Sequence, residues 1–298
     1  MRIRARLVLA AACCAASCNG LMDTPMTDVP TASPANGAMW GTDAHLSPSQ
    51  PDAVRRYADH PRGFAELRLP TGEGPFPLAV IFHGGCFKYG VADQAYMAPL
   101  ATRWQEHGIA SLNVDYREVG DGGGWPGSFA DWAKAARLID EVAARYPVDR
   151  GRVTLVGHSA GALPALWLAA DQGPDGPLGK RPALGARAAI VLDGPADLGM
   201  EAAAFDALCQ FSAVAPFLGE QGTKQVAAIA PRPQLDEVLF VQARLPAPPP
   251  AALAAIRAQG ASLEVRENPQ ASHFAVITPG DPVYLANEPA MLKVLTSE

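Results

Sequence analysis

The sequence predicts an α/β domain with a mostly parallel central sheet and helices on both faces. Three observations carry this. From about residue 53, short apolar runs alternate with longer stretches of helical spacing, the pattern of repeated βαβ units. The runs are continuous rather than alternating, as at residues 77–82 (PLAVIF) and 188–192 (AAIVL), which suits strands covered on both sides. The stretch 53–298 has about 245 residues, and the chain is 49% hydrophobic and only 18% charged, enough apolar surface for one large core.

In chain order, strands are expected over 64–69, 77–82, 109–114, 152–156, 188–192, 238–242 and 263–266. Helices are expected over 92–107, 129–146, 160–170, 251–259 and 289–296. The connection 194–236 is too long for an ordinary loop. It reads as a small lid with helix within 201–217, because long excursions from compact domains tend to cover sites. Pro246 to Pro250, broken only by Ala247, forbids regular structure after the strand at 238–242.

The first residues read differently. Arg2, Arg4 and Arg6 precede a short apolar run from Leu7 to Ala16, the layout of a secretory signal over 1–18. Ala15-Ala16-Ser17-Cys18 loosely resembles a lipobox but lacks Leu at the first position. Two outcomes stay open: lipidation at Cys18, giving an anchored outer-membrane or periplasmic lipoprotein, and plain cleavage, giving a soluble periplasmic protein. Residues 19–52 are rich in Pro, Ser, Thr, Asp and Gly and read as a flexible linker. The net charge of −6, with no basic cluster after the leader, argues against a nucleic-acid partner. A lipid anchor is the only membrane contact expected.

The chemistry concentrates in Gly157-His158-Ser159-Ala160-Gly161, which follows an apolar strand and opens a helix. A serine on such a tight turn projects clear of the sheet, and flanking glycines avoid side-chain clashes. The helix N-terminus behind it favours developing negative charge. Ser159 is therefore the expected nucleophile. His83-Gly84-Gly85-Cys86 follows the strand at 77–82 and supplies the glycine-rich oxyanion loop. Gly84, Gly85, Cys86 and the N–H of Ala160 are the candidate oxyanion hole. His83 reads as support for that loop rather than as the base. His273 follows the last short strand, more than a hundred residues after Ser159, and is the expected general base. Phe87 and Trp125 are candidates for the substrate pocket, with local packing as the other reading of Trp125.

Residues 62–297 resemble bacterial α/β-hydrolase esterases, the group related to bifunctional feruloyl and acetyl-xylan esterases and to arylformamidase-like enzymes. The resemblance rests on His83-Gly84-Gly85-Cys86-Phe87, Asp115-Tyr116-Arg117, Gly122-Gly123-Gly124-Trp125-Pro126-Gly127, the Ser159 elbow and Ser272-His273-Phe274. It implies hydrolysis of a small-molecule carboxylic ester with no cofactor and no metal. It fails at the acid. Such proteins carry HG-x-x-D after the penultimate strand, where this chain has Gln242-Ala243-Arg244-Leu245-Pro246. Asp193, ending the strand at 188–192, is the candidate replacement.

Cys86 and Cys209 are the only cysteines after the leader. A disulfide and a pair of buried thiols are both open for them. Two other functions stay in view. One is an amidase or formamidase. The other is a degenerate, exported binding protein, suggested by the missing acid.

Overall fold

A computed structural model describes residues 46–297. The expected signal peptide and most of the linker lie outside the described residues.

The sheet has eight strands: β1 (Ala53–Arg56), β2 (Phe64–Arg68), β3 (Phe76–Phe82), β4 (Ala110–Val114), β5 (Val148–His158), β6 (Ala188–Leu192), β7 (Glu237–Gln242) and β8 (Ser262–Glu267). Their order is β1-β2-β4-β3-β5-β6-β7-β8. β1 pairs antiparallel with β2, and β2 with β4. Every pairing from β4 through β3 to β8 is parallel. This is the mostly parallel sheet expected from the alternation. β1 carries no apolar run, and pairing with β2 rather than burial pattern makes it a strand.

Alternation along each strand divides the core in two. Leu78, Val80 and Phe82 of β3 join one apolar cluster, and Ala79 and Ile81 join the other. α2 (Gly127–Ala135), α3 (Leu138–Arg145), α4 (Ala162–Leu168) and α7 (Pro250–Arg257) cover the first face. α1 (Ala98–Glu106) and α8 (Pro282–Thr296) cover the second, through fully buried Trp104, Tyr284 and Met291. The single helix expected over 129–146 is two helices in the structure. Pro164 falls in the first turn of α4, where an N–H lacks a helical acceptor in any case. Among the described residues, no helix is long and apolar enough to cross a membrane.

Between β6 and β7 lies the expected insertion, built on two helices, α5 (Leu198–Cys209) and α6 (Val214–Lys224). Asp197 caps α5, accepting the N–H groups of Gly199 and Met200. Glu201 returns the favour by accepting the N–H of Asp197 at 2.7 Å. A Gln210 with φ 62° ends the helix, and Gly219 with φ 62° breaks α6. Phe205 and Phe217 point into the core and hold the lid down.

Burial pushes the Glu201 carboxyl up to about 7, outweighing the backbone N–H groups of Asp197 and Ala196 that pull it down. Its folded value therefore exceeds its unfolded one. Whatever stability the protonated acid lends is complete below the free glutamate value, about 4.3, and is lost as pH rises through about 7. Wild-type stability, measured by urea unfolding, should fall relative to Glu201→Gln between those limits. Parallel curves would contradict this assignment.

Candidate active site

Four parallel strands deliver the site. β3, β5, β6 and β7 end at Phe82, His158, Leu192 and Gln242. The next residues, His83, Ser159, Asp193 and Ala243, thus share the carboxyl rim of the sheet, where ligands of open α/β sheets bind.

The elbow around Ser159 is as tight as its glycines suggest. A side chain at Gly157 would place Cβ 2.0 Å from the carbonyl oxygen of Gly161, and one at Gly161 would sit 2.1 Å from that of Phe82. Neither is tolerable. Ser159 itself has φ 55°, a strained value for a residue with Cβ. Among the described residues, five non-glycine positions take positive φ, and four of them (Cys86, Phe87, Ser159 and Asp193) belong to the candidate site. Backbone strain collects where geometry is over-determined for function.

Asp193 and His273 are brought together. His273 Nδ1 lies 2.7 Å from Asp193 Oδ2. The carboxylate is fully buried. It also accepts the backbone N–H groups of Ala243, Arg244 and Leu245, each at 2.9 Å. Burial alone would raise its pKa. The bond and charge of His273, with the backbone donors, win and hold it below the ordinary aspartate value. The loop after β7, which lacks the family's acid, instead wraps the acid supplied by β6. A carboxylate can only accept, so Nδ1 of His273 carries the proton and Nε2 keeps a lone pair.

Ser159 is tied to this pair through its neighbours. The residue before it, His158, approaches the carbonyl of His273 through Nε2 at 3.1 Å, and the two rings lie 4.4 Å apart. The residue after Asp193 is Gly194, where a Cβ would meet the Ser159 carbonyl oxygen at 2.7 Å. His158 thus faces the loop that bears the base rather than solvent. β5 ends at His158, and its side chain turns under the loop carrying His273.

The oxyanion loop rests on two supports. On one side His83 bonds the Gly84 carbonyl through Nδ1 at 2.6 Å and Asp115 through Nε2 at 3.2 Å, and stacks on Tyr116 at 4.2 Å. Arg62 joins Asp115 to the buried Glu118. This is the supporting role expected of His83. On the other side the Gly84 N–H donates to the Tyr96 hydroxyl. That bond corrects the expectation for Gly84: its N–H is committed to protein, and the glycine serves by closeness. A Cβ there would lie 2.8 Å from that of Ser159. Gly85 and Cys86 continue the loop past Gly84, and Ala160 follows Ser159 in the turn that leads into α4.

Phe87 is not an open pocket wall. Its ring is buried and stacks on Phe217 at 4.0 Å, with Phe205 at 5.5 Å. It fastens the oxyanion loop to the lid. Trp125 is half-buried against Phe129, its backbone N–H donates to the Phe217 carbonyl, and a Cβ at Gly222 would touch its ring at 2.9 Å. Cys86 and Cys209 form a disulfide, joining the same loop to the end of α5. The Phe87 stack and the disulfide thus fasten the lid to the oxyanion loop, and Trp125 fastens it to the neighbouring glycine-rich loop. Among the described residues, no cluster of acidic, His or Cys side chains could hold a metal ion.

A family profile described as BD-FAE matches residues 66–228, more than half of the chain. The chain belongs to the BD-FAE family. This is an α/β-hydrolase-type esterase family, in agreement with the resemblance read from the motifs. No curated protein matches the sequence. Solved structures share the fold at low identity. Esterase B from Lactobacillus rhamnosis, inhibited by a tributyrin phosphonate, superposes with a TM-score of 0.65 at 17% identity, over 84% of this chain and 87% of that one. Thermogutta terrifontis esterase 2, phosphonylated by cyclosarin, gives 0.61 at 19% identity, over 85% and 100%. A bifunctional GH43-CE protein of Bacteroides eggerthii gives 0.61 at 20%, over 81% of this chain, which spans only 37% of that protein. In this BD-FAE protein the profile covers the oxyanion loop, the elbow, Asp193 and most of the lid, while His273 lies beyond it.

The disulfide closes a loop of 123 residues, whose loss frees much chain entropy in the unfolded state. Replacing Cys86 and Cys209 together by Ser should lower the unfolding free energy by about 2–5 kcal/mol, read by denaturant titration. An unchanged midpoint would refute this.

Proposed function

We propose that the protein is a serine hydrolase that cleaves carboxylic esters through an acyl-enzyme, with Ser159 as nucleophile, His273 as base and Asp193 as the acid that orients it. One observation carries the reading: the 2.7 Å bond from His273 Nδ1 to a buried carboxylate, on the rim that also carries a strained serine elbow. Such a pair leaves Nε2 free to take a proton.

The steps follow from those groups. Ser159 Oγ bonds to the ester carbonyl carbon while its proton passes to His273 Nε2. The carbonyl π electrons move to oxygen, where the N–H groups of Gly85, Cys86 and Ala160 are the available donors. The intermediate collapses, the C–O bond to the alcohol breaks, and the imidazolium protonates the leaving alkoxide. Water then repeats the sequence and frees the acid and Ser159. Asp193 stays ionised and stabilises the imidazolium. The carboxylate whose absence after β7 favoured a degenerate binding protein is thus supplied from β6.

Small to medium acyl groups fit best, because Phe87, Phe217 and Trp125 fill the space beneath the lid. The tributyrin phosphonate that inhibits the Lactobacillus esterase B neighbour agrees with that class. Export through residues 1–18, followed by a linker over 19–52, belongs to the same proposal. The Cys86–Cys209 disulfide supports it, since such bonds persist in oxidising compartments. Lipidation at Cys18 would add the one membrane anchor.

Two outcomes follow. A fluorophosphonate probe should label the wild type and not Ser159→Ala; equal labelling of both would exclude Ser159 as nucleophile. Asp193→Asn should lower kcat on p-nitrophenyl acetate by about four orders of magnitude. Unaltered turnover would dismiss the acid from β6, and faster cleavage of a matched N-formyl arylamide would move the assignment to amides.

A further inference from the structure

Three stretches of chain must keep register for this chemistry: the oxyanion loop, the serine elbow and the loop bearing His273. We propose that half-buried Tyr96 and fully buried His158 form a clamp that joins all three, and that both are positioning residues for acyl transfer. The proposal rests on the serine-hydrolase reading above.

The direction of every bond in the clamp can be deduced. The carbonyl of His273 can only accept, so His158 carries its proton on Nε2, 3.1 Å away. His158 Nδ1 must then accept, and the Tyr96 hydroxyl, 2.9 Å distant, donates to it. The Tyr96 oxygen is left to accept, and the Gly84 N–H fills that role. The chain runs Gly84 to Tyr96 to His158 to His273 with each donor and acceptor used once. Packing reinforces it: the Phe274 ring meets Tyr96 edge-on at 6.0 Å and His158 at 5.4 Å.

Sequence positions show why this arrangement matters. Gly84 opens the loop whose next amides face the reacting carbonyl. His158 immediately precedes Ser159. The carbonyl at the far end belongs to the base itself. Displacing any member shifts two catalytic elements against each other. Misplacements near 1 Å cost about a hundredfold in rate. The clamp also needs an uncharged His158. Burial first, then the neighbouring His273, pushes its pKa down to about 3. It therefore adds no positive charge beside the imidazolium that His273 becomes during turnover. Each side chain is bonded to the groups it holds, the Gly84 N–H and the His273 carbonyl, and acts through them.

The test compares wild type, Tyr96→Phe, His158→Leu and the double variant. Each single change should lower kcat about 10–100-fold and leave KM within about threefold. The double variant should cost no more than the larger single change, because both cut one chain. A trifluoromethyl ketone that forms a tetrahedral adduct at Ser159 should lose affinity in proportion to kcat/KM, while the carboxylic acid product binds as before. Loss of both affinities together, additive effects, or Tyr96→Phe turnover within twofold of wild type would overturn the clamp. If one variant fails to fold, the other and its ketone-to-product ratio decide. A wild type that neither hydrolyses esters nor reacts with fluorophosphonate would bring down the hydrolase reading and the clamp together. An active wild type with an indifferent Tyr96→Phe would remove the clamp alone.

Discussion

A buried carboxylate with no lysine or arginine side chain bonded to it, among the described residues, organises this molecule. Asp193 is neutralised in effect by four N–H donors: His273 Nδ1 and the backbone amides of Ala243, Arg244 and Leu245. An ionised group in so dry a place is costly unless its lone pairs are filled. Here filling them fixes three things at once. The loop after β7 is folded back onto the end of β6. The imidazole of His273 is held in one tautomer. The acid remains charged, ready to stabilise an imidazolium. Remove the carboxylate, and three inward-pointing amides lose their acceptor.

Around that centre the molecule accepts strain where it gains position. Cys86, Phe87, Ser159 and Asp193 all sit at positive φ, each costing on the order of 1 kcal/mol or more. Every one is over-determined by its surroundings. Cys86 is bonded to Cys209, Phe87 is stacked under Phe217, Ser159 lies between two obligatory glycines, and Asp193 is gripped by the β7 loop. The lid is part of this support rather than a separate cover. Its helices α5 and α6 hold the oxyanion loop from outside, while His83 and Tyr96 hold it from within.

Much of this is legible in the sequence because it depends on local chemistry. PLAVIF and AAIVL announce buried parallel strands. Gly157 and Gly161 announce a turn no other residue could make. The spacing of Ser159 and His273 follows chain order in this fold. Asp193 is visible only as the aspartate ending the right strand, once the loop at 242–246 is seen to lack a carboxylate. Phe87 faces the core, which the sequence does not reveal: an aromatic beside an oxyanion loop looks the same whether it faces substrate or core, and only the positive φ and the partner Phe217 decide. β1 escapes notice because its burial comes from pairing, not from composition. The break between α2 and α3 lies in a stretch whose helical period continues without a proline or glycine. His158 is hidden for another reason: its partners, Tyr96 and the His273 carbonyl, are 62 and 115 residues away.

The chemistry depends most on the bond between His273 and Asp193. A proton shared with a buried carboxylate resonates far downfield of ordinary amides, so low-field proton NMR reads it directly. Wild-type protein and Ser159→Ala should both show that His273 Nδ1 resonance, and Asp193→Asn should abolish it. A low-field signal that survives in Asp193→Asn, or none in the wild type, would contradict the assignment of Asp193 as the acid.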